Sequence, residues 1–170
     1  MRTTTKFGIR SVSKATGFTL IEMLLVIAIA GIMMSMAVPS MAEFIRGQRV
    51  RSASFDLYAA MTLGRSEGIN RNVASANKIV ITPAGACDSD SCNWAAGWTT
   101  AVGGTTIQVQ STMSDELTID GPKKVNFDRA GKATLTGRTT FHIEAVGTEM
   151  KRCVQLDSAG RPSTKSVGCP

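Results

Sequence analysis

The chain has 170 residues with a formal net charge of +6. Four of its 19 basic side chains, Arg2, Lys6, Arg10 and Lys14, precede Gly17, which leaves 15 against 13 acids in the rest. The excess charge is therefore local to the N-terminus, and net charge alone does not support a nucleic-acid partner.

From Phe18 to Ala42 the only ionisable side chain is Glu22, and Glu43 closes the run. A helix rises ~1.5 Å per residue and a bilayer core is ~30 Å thick, so this stretch is long enough to span a membrane. Positive charges before it and no acid predict a cytoplasmic N-terminus and an exported C-terminal part. About 128 residues follow Ala42, enough for one soluble domain with one core. Glu22 is the anomaly, because an acid in a membrane helix marks a functional position and demands a partner. Cleavage after Gly17 would create one, the α-amine of Phe18, on the same chain or on a neighbour. The competing reading is an ordinary secretory signal peptide with Ser40-Met41-Ala42 as its small-residue site. The apolar run is longer than the usual 7–15 residues of such peptides and carries an acid near its start. The first residue of the mature protein decides between them.

The stretch Gly17-Phe18-Thr19-Leu20-Ile21-Glu22 resembles the cleavage and methylation motif of type IV pilins and type II secretion pseudopilins. The resemblance implies a leader over 1–17, cut after Gly17 by a prepilin peptidase, with Phe18 as the N-methylated first residue. It implies that Glu22 pairs with the terminal amine of a neighbouring subunit during assembly. Gly31 and Pro39 fall where that family places its helix-weakening residues. The implied partners are other pilin or pseudopilin subunits, the prepilin peptidase and an inner-membrane assembly platform. The implied location is the bacterial inner membrane, crossed once with the C-terminal domain in the periplasm, and then a filament.

After the span over 18–42 comes the expected periplasmic domain over 43–170. Val50, Ala53, Leu57, Ala60, Met61 and Gly64 recur at helical spacing, with Arg46, Arg49, Asp56, Arg65 and Glu67 largely off that face. One helix is thus predicted to leave the membrane and lay its outer half on a sheet, with Pro39 as a kink and Asn70 or Asn72 as its stop. Gly47, Gly64 and Gly68 each cost about 1 kcal/mol relative to alanine, so packing must hold that half. The end of this helix, Gly64-Arg65-Ser66-Glu67-Gly68-Ile69-Asn70-Arg71-Asn72, resembles that of the FimT/GspH group of minor pilins and pseudopilins, with glycines where that group has alanines.

Lys78-Ile79-Val80-Ile81-Thr82 reads as a strand ended by Pro83. Four cysteines in an exported domain read as two disulfides, and local pairing, Cys87–Cys92 and Cys153–Cys169, is the simplest of three connectivities. The spacing of the second pair disfavours a zinc site, and Cys92 stands where a calcium loop beginning at Asp88 and Asp90 would need another oxygen ligand. Asn93-Trp94-Ala95-Ala96-Gly97-Trp98 resembles a Trp-x-x-Gly-Trp step of the same subfamily, and its tryptophans read as core or loop anchors. Alternation marks further strands at Thr105–Gln110, Leu117–Ile119 and Lys124–Phe127.

Phe127-Asp128-Arg129-Ala130-Gly131-Lys132 is echoed by Leu156-Asp157-Ser158-Ala159-Gly160-Arg161. Aspartate opening the turn and glycine in the left-handed position predict two bulged hairpins, Lys124–Thr136 and Lys151–Val167. Between them Arg138–Val146 forms a strand with Phe141, Ile143 and Ala145 on one face and His142 and Glu144 on the other. The expected fold is α+β: a long N-terminal helix, half transmembrane and half amphipathic, packed on an antiparallel sheet in the manner of type IV pilins.

No enzymatic constellation, metal set or cofactor motif emerges, and the single histidine, His142, falls on a polar strand face. The function implied is that of a minor pilin or pseudopilin, assembled into a type IV pilus or a type II secretion pseudopilus. The alternative is a FimT-like minor pilin acting in DNA uptake. Some FimT-type proteins bind DNA through a Gly-Arg-x-Arg stretch near the last cysteine. Gly160-Arg161-Pro162-Ser163 keeps the glycine and first arginine but not the second. Lys165, Lys151, Arg152 and Arg138 are the other candidate phosphate-neutralising cations.

Overall fold

A computed structural model describes residues 17–71, 78–136, 139–166 and 169. The chain divides into two units at Pro39 and Ser40. Residues 1–16 of the expected leader (1–17), with Asn72, Arg138 and Val167, lie outside the described residues.

Helix α1 spans Leu20–Asn70, 51 residues, with Pro39 inside it. Within the second unit its buried face is Gly47, Val50, Ala53, Ser54, Leu57, Ala60, Met61, Gly64 and Gly68, the three- and four-residue stagger expected of one stripe. The stripe is rich in small residues because the sheet comes very close at its glycines. A Cβ on Gly64 would lie 3.0 Å from Ile81 Cδ1 and from the Phe127 ring, and one on Gly68 would lie 2.7 Å from the Asp128 carbonyl oxygen. The glycines that weaken this helix locally are the surface on which it docks. Ser54 needs no outside partner, since its hydroxyl donates to the Arg51 carbonyl at 2.7 Å.

Ten strands follow: β1 (Ile79–Pro83), β2 (Cys92–Asn93), β3 (Trp98–Val102), β4 (Thr105–Gln110), β5 (Leu117–Gly121), β6 (Lys124–Phe127), β7 (Ala133–Thr136), β8 (Thr140–Ala145), β9 (Arg152–Leu156) and β10 (Pro162–Lys165). They form two five-stranded sheets, β4-β3-β1-β6-β7 and β10-β9-β8-β5-β2, so the expected α+β fold of a long helix on antiparallel sheet is present with the sheet in two parts. All pairings are antiparallel. The chain passes between the sheets at several connections. At one of them Pro122 and Lys123 separate β5 in one sheet from β6 in the other, and Pro122 has no N–H to extend either ladder.

Both sheets and the helix share one core, from Val50, Leu57 and Met61 through Ile79, Ile81, Val125 and Phe127 to Ile119, Phe141, Ile143 and Val154. Phe141, Ile143 and Ala145 are buried on β8, while His142 is half-buried and Glu144 exposed, as the alternation requires. Trp94 and Trp98 are core residues with their rings 6.0 Å apart, and Trp94 stands edge-on to Phe141 at 4.9 Å. Disulfides join Cys87 to Cys92 and Cys153 to Cys169.

The two echoed segments close their hairpins identically. In the first, the Gly131 N–H donates to the Asp128 carbonyl (2.9 Å), and the Lys132 N–H donates to Asp128 Oδ1 (2.9 Å). In the second, the Gly160 N–H donates to the Asp157 carbonyl (2.9 Å), and the Arg161 N–H donates to Asp157 Oδ1 (2.7 Å). The turns belong to different sheets yet touch, Gly160 resting on the Gly131 backbone, while Arg65 Nε donates to the Ala159 carbonyl at 3.3 Å. The helix end, with its FimT/GspH-like sequence, is thus a clasp between sheets. Gly160 has φ 76°, and a Cβ there would strike the Gly131 carbonyl oxygen. Gly160→Ala is expected to lose about 1–3 kcal/mol to backbone strain alone, with the collision added. Gly104, φ 86° in open space, supplies the control without collision. Denaturant midpoints of the two variants, at unchanged slope, measure the difference.

Candidate functional site

Gly17, Phe18 and Thr19 precede the helix and are exposed. Thr19 caps it: its Oγ1 accepts the Glu22 N–H at 3.3 Å, and its carbonyl accepts the Met23 N–H at 3.2 Å. Thr19-x-x-Glu22 is therefore a capping-box spacing, placing a carboxylate in the first turn, where the helix dipole favours negative charge. Sequence reasoning treated Glu22 only as an intramembrane acid; the threonine three residues earlier was the signal for this second role. Among the described residues no cation lies within ion-pairing distance of Glu22.

Beyond Glu22 the helix presents uncovered apolar surface. Leu20, Ile32, Met33 and Met36 are each at least 65% exposed, and the most apolar 18-residue window has a mean hydropathy of 2.3 with none of it buried. Residues 20–39 rise about 30 Å along the helix. Apolar surface on this scale marks a membrane or protein contact rather than a water-facing helix. The first unit thus joins an anchor-length apolar surface to one carboxylate at its start that has no ion-pair partner among the described residues.

Of the five candidate DNA-binding cations, the four among the described residues do not converge. Arg161 lies beside the β9–β10 turn, where its Nε meets Asp157 Oδ2 at 2.8 Å. The Arg161 backbone N–H, then its guanidinium, hold the Asp157 carboxyl below the usual carboxylate range, against a small opposing effect of desolvation. What this contact adds to the turn is present above the ordinary carboxylate pKa and fades as pH falls through the lowered one. Lys151 Nζ is paired with Glu144 Oε2 at 3.0 Å. Arg152, opposite Ile143, lies on the core-facing side of β9, and its buried Nε has no hydrogen-bond partner among the described residues. Lys165 is exposed, opposite Cys153. It and Lys151 lie at the open end of the β9–β10 hairpin, about 13 Å along the strand from Arg161. Two of these cations are neutralised by neighbours and a third faces inward. The tryptophans offer no stacking ring, since both are buried.

His142, Glu144, Glu149, Lys151, Arg152, Ser166 and Cys169 line a hollow of about 400 Å³. Its charges are mixed, with Lys151 spent on Glu144.

Comparison with known proteins follows these two units. Residues 12–38 match the prokaryotic N-terminal methylation motif, and residues 53–160 match the family of the type II transport protein GspH. A comparison with curated proteins finds none that matches. Among solved structures, the fold is similar to the type IV minor pilin FimU of Pseudomonas aeruginosa in two crystal forms. The P65 form gives 21% identity and a TM-score of 0.53, covering 68% of this chain and 91% of that one. The P21 form gives 20% identity and a TM-score of 0.56, covering 72% and 92%. The chain belongs to the GspH family of pilin-like proteins and carries the N-terminal methylation motif that accompanies it.

Proposed function

We propose that the protein is a minor pilin or pseudopilin that waits in the bacterial inner membrane with its C-terminal domain in the periplasm. A prepilin peptidase removes the leader after Gly17, and Phe18 becomes the methylated N-terminus. Other pilin or pseudopilin subunits, gathered at an inner-membrane platform, then take up the helix into a filament. The observation that carries this reading is the uncovered apolar helix with a single carboxylate in its first turn that has no ion-pair partner among the described residues.

The physical logic is a matching of defects. An unpaired carboxylate in hydrocarbon costs several kcal/mol, and so does an unpaired amine. When the amine of one subunit meets Glu22 of another, both costs fall, and only one axial register achieves it. Apolar contact between the helices fixes no register of its own, since lipid tails are as apolar as the side chains.

The mature N-terminus tests the processing step. Mass spectrometry of the protein from cells with active peptidase is expected to find methyl-Phe18 as residue one. A mature chain beginning at Glu43 would mean a secretory signal peptide, and an intact Met1 a permanent tether. Either result removes the assembly reading.

A further inference from the structure

Each sheet has two edges, and an edge strand offers unpaired N–H and C=O groups to any extended chain that meets it. Three of the four edges here are guarded. β2 is two residues long and its Cys92 is bridged to Cys87. β10 begins with Pro162 and ends with Lys165, two residues that resist strand addition. β7 starts against the β9–β10 turn, where Gly160 lies on the Gly131 and Ala133 backbones.

The fourth edge differs. β4, Thr105-Thr106-Ile107-Gln108-Val109-Gln110, has six residues with no charge and no proline. Its one guard is a bulge: the register with β3 slips at Ile107, between Thr100↔Gln108 and Ala101↔Thr106. The regular half, Gln108–Gln110, is left as a short straight template. At its centre Val109 is 66% exposed, and among the described residues after α1 it is one of only two large apolar side chains so exposed, with Val146. A solvent-facing valine at the centre of an edge stretch with no charge and no proline is what an interface strand would present.

We propose that β4 is a self-association edge, paired antiparallel about a two-fold axis with β4 of a second copy of this chain. The charge pattern selects the occupant. Two-fold pairing sets each strand against its own sequence, so a charged edge would repel its copy, as β10 would with Lys165. β4 has no charge to repel. In the register centred on Val109, the two valines meet on the outer face and cover each other, and Gln108 of each strand stands opposite Gln110 of its partner. Gln108 and Gln110 share the face of the buried Thr100 and Trp98, the side opposite Val109. The pairing joins two five-stranded sheets into one of ten, and the contact is isologous, so it closes at two.

The inference is independent of leader cleavage, because it uses only the folded domain. The test is Val109→Cys in the full-length protein in its native membrane, oxidised and run on a non-reducing gel. Directly opposite Cβ atoms lie about 5 Å apart, closer in a non-hydrogen-bonded pair, within reach of a disulfide. A band at twice the chain mass is expected for Val109→Cys and not for Thr134→Cys on the guarded β7 edge. Val109→Lys, which sets two lysines face to face, is expected to reduce the dimer several-fold by light scattering in mild detergent, with leader processing unchanged. No dimer with Val109→Cys, equal dimer with Thr134→Cys, or an adduct with a chain of another mass would each overturn the proposal.

Discussion

Trp94→Ala is expected to lower the melting temperature of the folded domain by about 10–15 °C. Trp94 is fully buried, stands edge-on to Phe141 at 4.9 Å, and donates its Nε1–H to the Pro122 carbonyl at 2.8 Å. Removing a buried indole costs about 3–5 kcal/mol in lost transfer energy and cavity. The Pro122 carbonyl would also lose its donor, at about 1–3 kcal/mol if water does not replace it. Against a total stability of about 5–15 kcal/mol, that is enough to leave the domain marginal. Pro122 holds a corner where the chain passes between sheets, so the loss should loosen both. Trp94→Phe keeps most of the ring but not the donor, and should recover most of the loss. Thermal melts of the full-length protein in detergent, followed by near-ultraviolet circular dichroism, separate the two effects.

The helix was legible to within two residues of its end because its face repeats at every turn. The predicted stripe of Val50, Ala53, Leu57, Ala60, Met61 and Gly64 is buried throughout. Gly47 and Gly68 belong to the same face, yet in sequence they read only as weak points, because glycine carries no apolar signal. The hairpins around Asp128 and Asp157 were legible for a local reason: the aspartate, the glycine and the bonds they make all fall within a few residues. That the two turns touch, and that Arg65 reaches one of them, depends on how two sheets pack, which no short window encodes.

The elements that sequence missed share that cause. β2 has two residues and pairs with β5 across a long separation, and β3 begins within the tryptophan step that read as a loop or core anchor. The division into two sheets depends on which distant strands pair, β1 with β3 and β6 in one sheet and β5 with β2 and β8 in the other. The candidate cations show the limit most clearly. Arginines and lysines can be counted in a sequence, but whether each is free cannot. Arg161 reads as a free charge, yet the turn sets it four residues from Asp157 and pairs them. Glu144 and Lys151 stand seven residues apart and meet as well.

Glu22→Ala is expected to leave cleavage after Gly17 intact and to abolish most filament incorporation, but alanine alone removes two things at once. Glu22 sits three residues after the capping Thr19, so truncation weakens the helix start as well as removing the charge. Glutamine separates these roles. It retains the N3 side chain of a capping box and cannot neutralise an amine. If Glu22 works by pairing with the terminal amine of a neighbour, Glu22→Gln should fail in assembly as badly as Glu22→Ala. If it works only by holding the first turn, Glu22→Gln should assemble normally, and Thr19→Ala, which costs the cap about 1 kcal/mol, should be the damaging change. A charge left without its partner in hydrocarbon costs more than a lost cap, so the expected order is Glu22→Ala and Glu22→Gln both severe and Thr19→Ala mild. Quantifying each mature variant in sheared filaments against the membrane fraction reads that order. Normal incorporation of Glu22→Gln would remove the charge-pairing role while leaving the apolar anchor in place.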